Sequence, residues 1–236
     1  MAFYSSFAQY YESIFPFKKF VFDFLNYYAN PETRDILDVG CGTGHYADHF
    51  AQAGYHVIGI DLDAAMIDYA RQHYPDTHFL ALNMLDIQSL EQPFDFIYCI
   101  GNTATHLKQD QFDIFVQSAY NKLRSGGIWL FQVLNWDCVT RQQEYIFPVL
   151  YADNEKIKFI RKYSDISNDS VIFNTELVDR GDVIFKEFTE MYPISSQEYL
   201  DIHHSHQFRL LDHFADFKRT PFNPRVDSAN IFVFQK

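Results

Sequence analysis

Between residues 36 and 135, short apolar runs alternate with amphipathic stretches, and this rhythm constrains the fold more than any other feature of the chain. "DILDVG" reads as a buried strand over 36–39, ended by glycine. "HYADHFAQAG" follows as a helix, with Tyr46, Ala47, Phe50 and Ala51 on one face and Gly54 as its stop. "HVIGID", "THFLAL", "FDFIYCIG" and "IWLFQVLN" read as four more strands. Between them lie the helical stretches "AAMIDYARQHY" and "DQFDIFVQSAYNKLRSGG", the second ending at Gly126 and Gly127. Strand and helix in alternation build a parallel sheet with helices on both faces. Such sheets bind ligands beyond the carboxyl ends of their strands.

The first of those ends carries Gly40, Gly42 and Gly44, between an apolar run and a helix start. Glycine reaches positive φ freely and lets a ligand approach the backbone, and a helix N-terminus aims N–H groups at it. The dinucleotide fingerprint G-x-G-x-x-G needs a third glycine at position 45, which is His45. The second strand ends in Asp61, about twenty residues after the first glycine, where an acid can hold both hydroxyls of a ribose. Asp38 precedes the glycines and can orient the loop or receive a cationic amine.

After Asn135 the pattern becomes β-rich. "KIKFIRKYSDI", "SVIFNTELVD" and "DVIFKEFTEMYPI" read as a small antiparallel sheet inserted after the fifth strand. "SSQEYLDIHHSHQFRLLDHF" returns to helix, opened by the capping box Ser195 and Glu198, and "NIFVFQK" closes as a strand. Residues 5 to 29 read as two short helices broken at Pro16.

Charge and composition exclude several functions. The net charge is −12 and no Lys/Arg cluster exceeds a pair. Nucleic-acid binders draw most of their affinity from neutralised phosphates, so DNA or RNA is a poor partner here. No run of 18 apolar residues suggests a membrane span, and the opening "MAFYSSFAQYYESIF" lacks the basic and apolar regions of a signal peptide. Three cysteines without metal spacing fit a reducing cytoplasm. An aromatic content of 18% serves a bulky core or an aromatic-lined ligand pocket. His203, His204 and His206, with only Asp201 nearby, read as a solvated helix face rather than a metal site.

The ordered set "LDVGCGTG", "GIDLDAAMIDYA" and "FDFIYCIGNTATHL" resembles the class I S-adenosylmethionine-dependent methyltransferases over residues 36–136. The resemblance implies a Rossmann-like α/β fold, with a mostly parallel seven-stranded sheet. In that family the glycine loop (here Asp38, Gly40, Cys41, Gly42, Gly44) packs on the methionine part of the cofactor, Asp61 holds the ribose and Leu62 flanks the adenine. Asn83 and Met84 fall at the adenine position, with Asp86 a competing candidate, and Ile100 and Gly101 complete the cofactor wall. "IGNTATHL" and "LNWD" are similar to segments of glycine and sarcosine N-methyltransferases. An N-terminal pattern, here Tyr4, Ala8 and Tyr11, closes over the cofactor in small-molecule members.

The resemblance points to Asn102, His106, Asn135 and Trp136 as acceptor-binding residues, with His106 and Tyr11 as candidate catalytic groups. His106 equally reads as a helix cap, and Tyr4 and Tyr11 as core aromatics. The arginine that grips the amino-acid carboxylate in the glycine enzymes falls on Leu134, so glycine fits only if Arg141 or another residue substitutes. The expectation is one domain: a helical lid over 1–35, a cofactor core over 36–136, an inserted β lid over 137–194 and a completing segment over 195–236. Its function is methyl transfer from S-adenosylmethionine, leaving S-adenosylhomocysteine, to a nitrogen or oxygen of a small molecule. A homodimer is the expected assembly. Two rivals are an NAD(P)-dependent oxidoreductase and a non-catalytic S-adenosylmethionine-binding module. A closed insertion with no acceptor cavity would favour the second.

Overall fold

The structure, a computed structural model, describes residues 2–30 and 32–236, with side chains from Phe7 onward. Helices α1 (Ala2–Ile14) and α2 (Lys19–Tyr28) lead into β1 (Asp35–Val39), α3 (His45–Gln52), β2 (His56–Asp61), α4 (Ala64–His73) and β3 (His78–Ala81). Next come β4 (Phe94–Cys99), α5 (Gln109–Lys122) and β5 (Leu123–Leu134). A short α6 (Trp136–Val139) opens the inserted unit, made of β6 (Tyr145–Ile146), β7 (Leu150–Ala152), β8 (Ile157–Ser164), β9 (Val171–Asp179) and β10 (Asp182–Met191). The chain returns through α7 (Ser196–Ser205) to β11 (Arg209–Phe214) and β12 (Ala229–Gln235).

Seven strands form one sheet in the order β11-β12-β5-β4-β1-β2-β3. Strands β1 to β5 pair in parallel, and β12 enters antiparallel to β5. The strand order reverses between β1 and β4, so the crevice for a ligand opens there. A second, antiparallel sheet, β10-β9-β8-β6, stands apart. Alternation along the buried strands divides the core. Leu37, Val39, Ile97 and Cys99 face α5 and α7, while Ile36, Phe96 and Tyr98 face α2 and α3. Because Phe24 and Leu25 are buried in that second core, α2 belongs chiefly to the sheet's cover.

Two boundaries differ from the sequence expectation. Helix α5 stops at Lys122, and residues 123–127, read as its glycine-terminated end, already belong to β5. The C-terminal helix stops at Ser205, and residues 209–214 are a strand instead. Pairing with β12 outweighs the helical reading of "RLLDHF".

The histidine cluster also differs. His203 is fully buried rather than solvated. Its Nε2 accepts from Trp129 Nε1 at 2.9 Å and its Nδ1 donates to Tyr199 O at 2.5 Å, while the ring stacks 4.0 Å from Phe234. Burial depresses its pKa to about 3, so it is a neutral core side chain. Unfolded histidine titrates near 6.5, so His203 contributes stability above that value and loses it as pH falls toward 3. His203→Leu should cost about 1–3 kcal/mol at pH 7 by leaving Trp129 Nε1–H unpaired. The deficit should shrink by about 1–2 kcal/mol at pH 5, where leucine escapes the protonation penalty. Urea unfolding at both pH values checks this, and a deficit independent of pH would refute it.

Candidate active site

Three glycines at one strand end answer three different constraints. All have positive φ (+74° at Gly40, +56° at Gly42, +87° at Gly44), which L-residues adopt only with strain. A Cβ on Gly40 would sit 2.4 Å from Thr103 Cγ2, and one on Gly44 2.5 Å from the Phe79 ring. Of the three, only Gly42 meets nothing closer than 3.4 Å, and its neighbour there is the Tyr11 ring, which lines the same cavity. Gly44, expected to touch the cofactor, lies off the cavity wall, because its role is to let α3 close onto Phe79 and Ala70.

The loop is pinned to β2. Gly40 N and Cys41 N both donate to Ile60 O, at 2.8 and 2.9 Å. Asp61 clamps the next turn, its Oδ2 accepting from Gly42 N and its Oδ1 from Asp63 N, each at 2.9 Å. Each oxygen keeps a further lone pair for a ligand hydroxyl. Burial raises the Asp61 pKa, and those backbone N–H groups oppose the rise.

Asp38 is 2% exposed between the buried Leu37 and Val39 of β1, and no cation pairs with it among the described residues. Burial pushes its carboxyl up to about 7, with the Tyr98 hydroxyl opposing and the Asp61 charge adding to the rise. A buried carboxylate on a cavity wall, lacking a counter-charge, fits a ligand that brings its own cation.

The cavity encloses about 600 Å³ at the carboxyl ends of β1 to β5. Its core side is walled by Asp38, Gly40, Cys41, Gly42, Asp61 and Leu62, continued by Asn83, Met84, Ile100 and Gly101. Asn83 caps the turn after β3, its Oδ1 accepting from Leu85 N at 3.0 Å, and it lines the cavity where Asp86 does not. Burial pushes the Cys41 thiol well up, leaving it an inert wall group. Tyr11 closes the opposite side, packed against Phe7 and Phe15. Tyr4 lies outside the residues whose side chains are described.

His106 lines the cavity without a hydrogen bond to any described residue, and burial lowers its pKa, favouring neutral imidazole. Asn102 also reaches the wall, but its amide is engaged within the protein. Its Oδ1 accepts from Leu134 N (2.9 Å) and Thr105 Oγ1 (2.7 Å), and its Nδ2 donates to Tyr163 Oη (3.2 Å). Asn135 and Trp136, expected at the acceptor pocket, lie behind it and are 0% and 1% exposed. Asn135 Nδ2 donates to Asp227 O and Pro224 O, tying β5 to the β12 approach, and Trp136 packs on Tyr163.

The inserted sheet was expected as a lid, but the residues with which it lines the cavity were not singled out from the sequence. Phe159, Arg161 and Tyr163, at alternate positions of β8, turn toward the cavity together with Phe147, Phe173 and Met191. The period-2 pattern "FIRKY" was the available signal. His45, noted only as a missing glycine, is a buried wall residue facing Tyr11 and Phe17, and burial depresses its pKa to about 4.

Residues 36–127 match a family described as a methyltransferase domain. YqeM of Bacillus subtilis (strain 168), a protein named as a methyltransferase, is 30% identical over 217 residues, spanning 86% of this chain and 83% of the relative. Glycine N-methyltransferase of Homo sapiens is 29% identical over 121 residues, 43% of this chain and 41% of that protein. The crystal structure of an S-adenosylmethionine-dependent methyltransferase from Clostridium acetobutylicum ATCC 824 superimposes with a TM-score of 0.82 at 16% identity, covering 98% of each chain. The chain belongs to the class I S-adenosylmethionine-dependent methyltransferases. It is an enzyme, and its cofactor is S-adenosylmethionine.

The unpaired Asp38 carboxylate, the bare Gly42 and the free lone pairs of Asp61 fit that cofactor's ammonium, thioether chain and ribose. Asp61→Ala should weaken S-adenosylhomocysteine binding at least tenfold, since a hydrogen bond to a charged group is worth about 1.5–3 kcal/mol. Below pH 7 Asp38 takes up a proton that a bound ammonium must displace, so affinity should fall about tenfold from pH 8 to pH 6. Titration calorimetry checks both. The pH dependence should vanish in Asp38→Asn, and its persistence there would refute the assignment.

Proposed function

We propose that the enzyme methylates a nitrogen or oxygen of a small-molecule acceptor held beneath the roof formed by α1 and the inserted sheet. The observation carrying this reading is the two-part wall of one cavity. Carboxylates and backbone line the core side, and aromatic side chains close the other, with His106 at the junction. A cavity of about 600 Å³ lies within the ~300–1,000 Å³ range of small-molecule sites. Lys18 and Arg161 are the cations among its lining residues, which is no groove for a phosphate backbone.

The bound cofactor supplies a sulfonium methyl group whose leaving group is neutral, so alignment carries much of the rate. Asp38 and Asp61 orient one reactant from the strand ends. The aromatic roof excludes water and confines the other. Neutral His106 is placed to accept the proton that a hydroxyl or ammonium acceptor must shed. Asn102 holds the loop bearing His106 against β5.

Methyl-labelled S-adenosylmethionine, incubated with fractionated cell extract, should label material below about 1 kDa and leave RNA, DNA and protein unlabelled; label in a macromolecular fraction would sink the proposal. With an acceptor in hand, His106→Ala should lower kcat by about 10²-fold or more while S-adenosylhomocysteine affinity stays within about threefold.

A further inference from the structure

Arg161 occupies an unusual position. It lies in the middle of β8, between Phe159 and Tyr163, on the face of that strand whose other members are buried. Phe147, Phe15 and Phe159 surround its guanidinium at 4.9, 5.6 and 5.6 Å. Its Nη2 donates to Pro148 O at 3.2 Å, whereas its Nε is buried with no partner. No carboxylate forms an ion pair with it among the described residues, although the chain carries 31 acidic residues. Its own strand neighbours, Lys158 and Lys162, point outward, and Lys162 pairs with Glu144. Burial lowers the Arg161 pKa, a sign of desolvation, yet a guanidinium stays charged in proteins.

A half-buried cation without a counter-ion is costly unless something else supplies the negative charge. The charges of this cavity are segregated. Its carboxylates, Asp38, Asp61 and Asp63, all belong to the core side, while its cations are the Arg161 guanidinium in the roof and Lys18 in the connection between α1 and α2. The core side matches the cationic cofactor, which leaves the roof to match an anion on the other reactant. Leu134 removes the arginine expected after β5, and Arg141 is exposed off the cavity wall. Arg161 thus enters the same cavity from the opposite side.

We propose that Arg161 binds a carboxylate on the methyl acceptor, so that the substrates are apolar or aromatic small molecules bearing one carboxylate. The choice of carboxylate over phosphate follows from charge. One guanidinium balances one negative charge, and the wall around it is made of rings rather than further cations. The planar fork of arginine matches a carboxylate through two parallel N–H donors. This proposal rests on the reading that the cavity holds S-adenosylmethionine together with a small acceptor.

The test uses the full chain saturated with S-adenosylhomocysteine. Phenylacetate, 3-phenylpropionate and hexanoate are titrated in, each against its neutral amide. At least one acid should bind about tenfold or more tightly than its amide. That preference should disappear in Arg161→Gln and shrink to about threefold in Arg161→Lys, which keeps the charge and loses the fork. Affinity for S-adenosylhomocysteine should stay within about threefold of wild type in both variants. Absence of any acid preference in the wild type overturns the proposal without reference to variants. A tenfold loss of S-adenosylhomocysteine affinity in Arg161→Lys also overturns it, by assigning the guanidinium to the cofactor's own carboxylate. Failure of the wild type to bind S-adenosylhomocysteine at all would overturn the underlying cofactor-site reading, and this proposal with it.

Discussion

The hydrogen bonds from Gly40, Cys41 and Gly42 to the end of β2 set the geometry on which the site depends. Two of them reach a backbone carbonyl and the third reaches the Asp61 carboxylate, so the turn after β1 is held by its neighbouring strand. Once the turn is fixed, α3 must leave at the angle that brings Gly44 against Phe79. Asp38 is then held just before the turn, at the cavity wall. The same carboxylate that shapes the turn also lines the cavity, where a ribose would meet it. Loop architecture and ligand binding therefore share one side chain, and a substitution at Asp61 should be felt in both.

Charge separation across the cavity follows from this arrangement. Asp38 is kept in a buried setting that raises its pKa to about 7, at a cost to the fold. As pH rises from the usual 3.8 toward 7 the unfolded carboxyl ionises while the folded one keeps its proton, so Asp38 costs stability, the reverse of the trend for buried His203. Opposite pH slopes in one domain flatten its overall stability profile. Single variants therefore reveal what a wild-type melting curve conceals.

The parallel core was legible because strand ends in such sheets are marked by residues with distinct jobs: glycine at 40, aspartate at 61, asparagine at 83. Those jobs are local, and local signals survive in a sequence. What remained hidden depended on contacts distant along the chain. Asn135 follows strand five as an acceptor-binding residue should, yet its amide is drawn away by carbonyls near Pro224 and Asp227. His203 looked like a solvated helix face until Trp129, 74 residues earlier, supplied the donor that buries it. The segment 209–214 carries a helix-compatible pattern and becomes a strand only because β12 lies beside it. The inserted lid was expected, but its lining was not, because a cation among inward-facing rings looks like an ordinary surface arginine until the sheet's facing is known.

The inserted unit leaves and rejoins the main sheet through a narrow stem. Asp137, just past β5, accepts from Ser196 N at 3.1 Å at the start of α7, and Asn230 of β12 donates to Ser196 Oγ at 2.8 Å. The two ends of the excursion are thereby fastened to each other and to the core. With its ends joined, the excursion can lengthen, shorten or exchange its lining at a loop-closure cost that grows only logarithmically. The stem thus makes the roof a replaceable module. The wall residues at the ends of β1, β2 and β4 can stay constant while the cavity-lining residues of the inserted strands change.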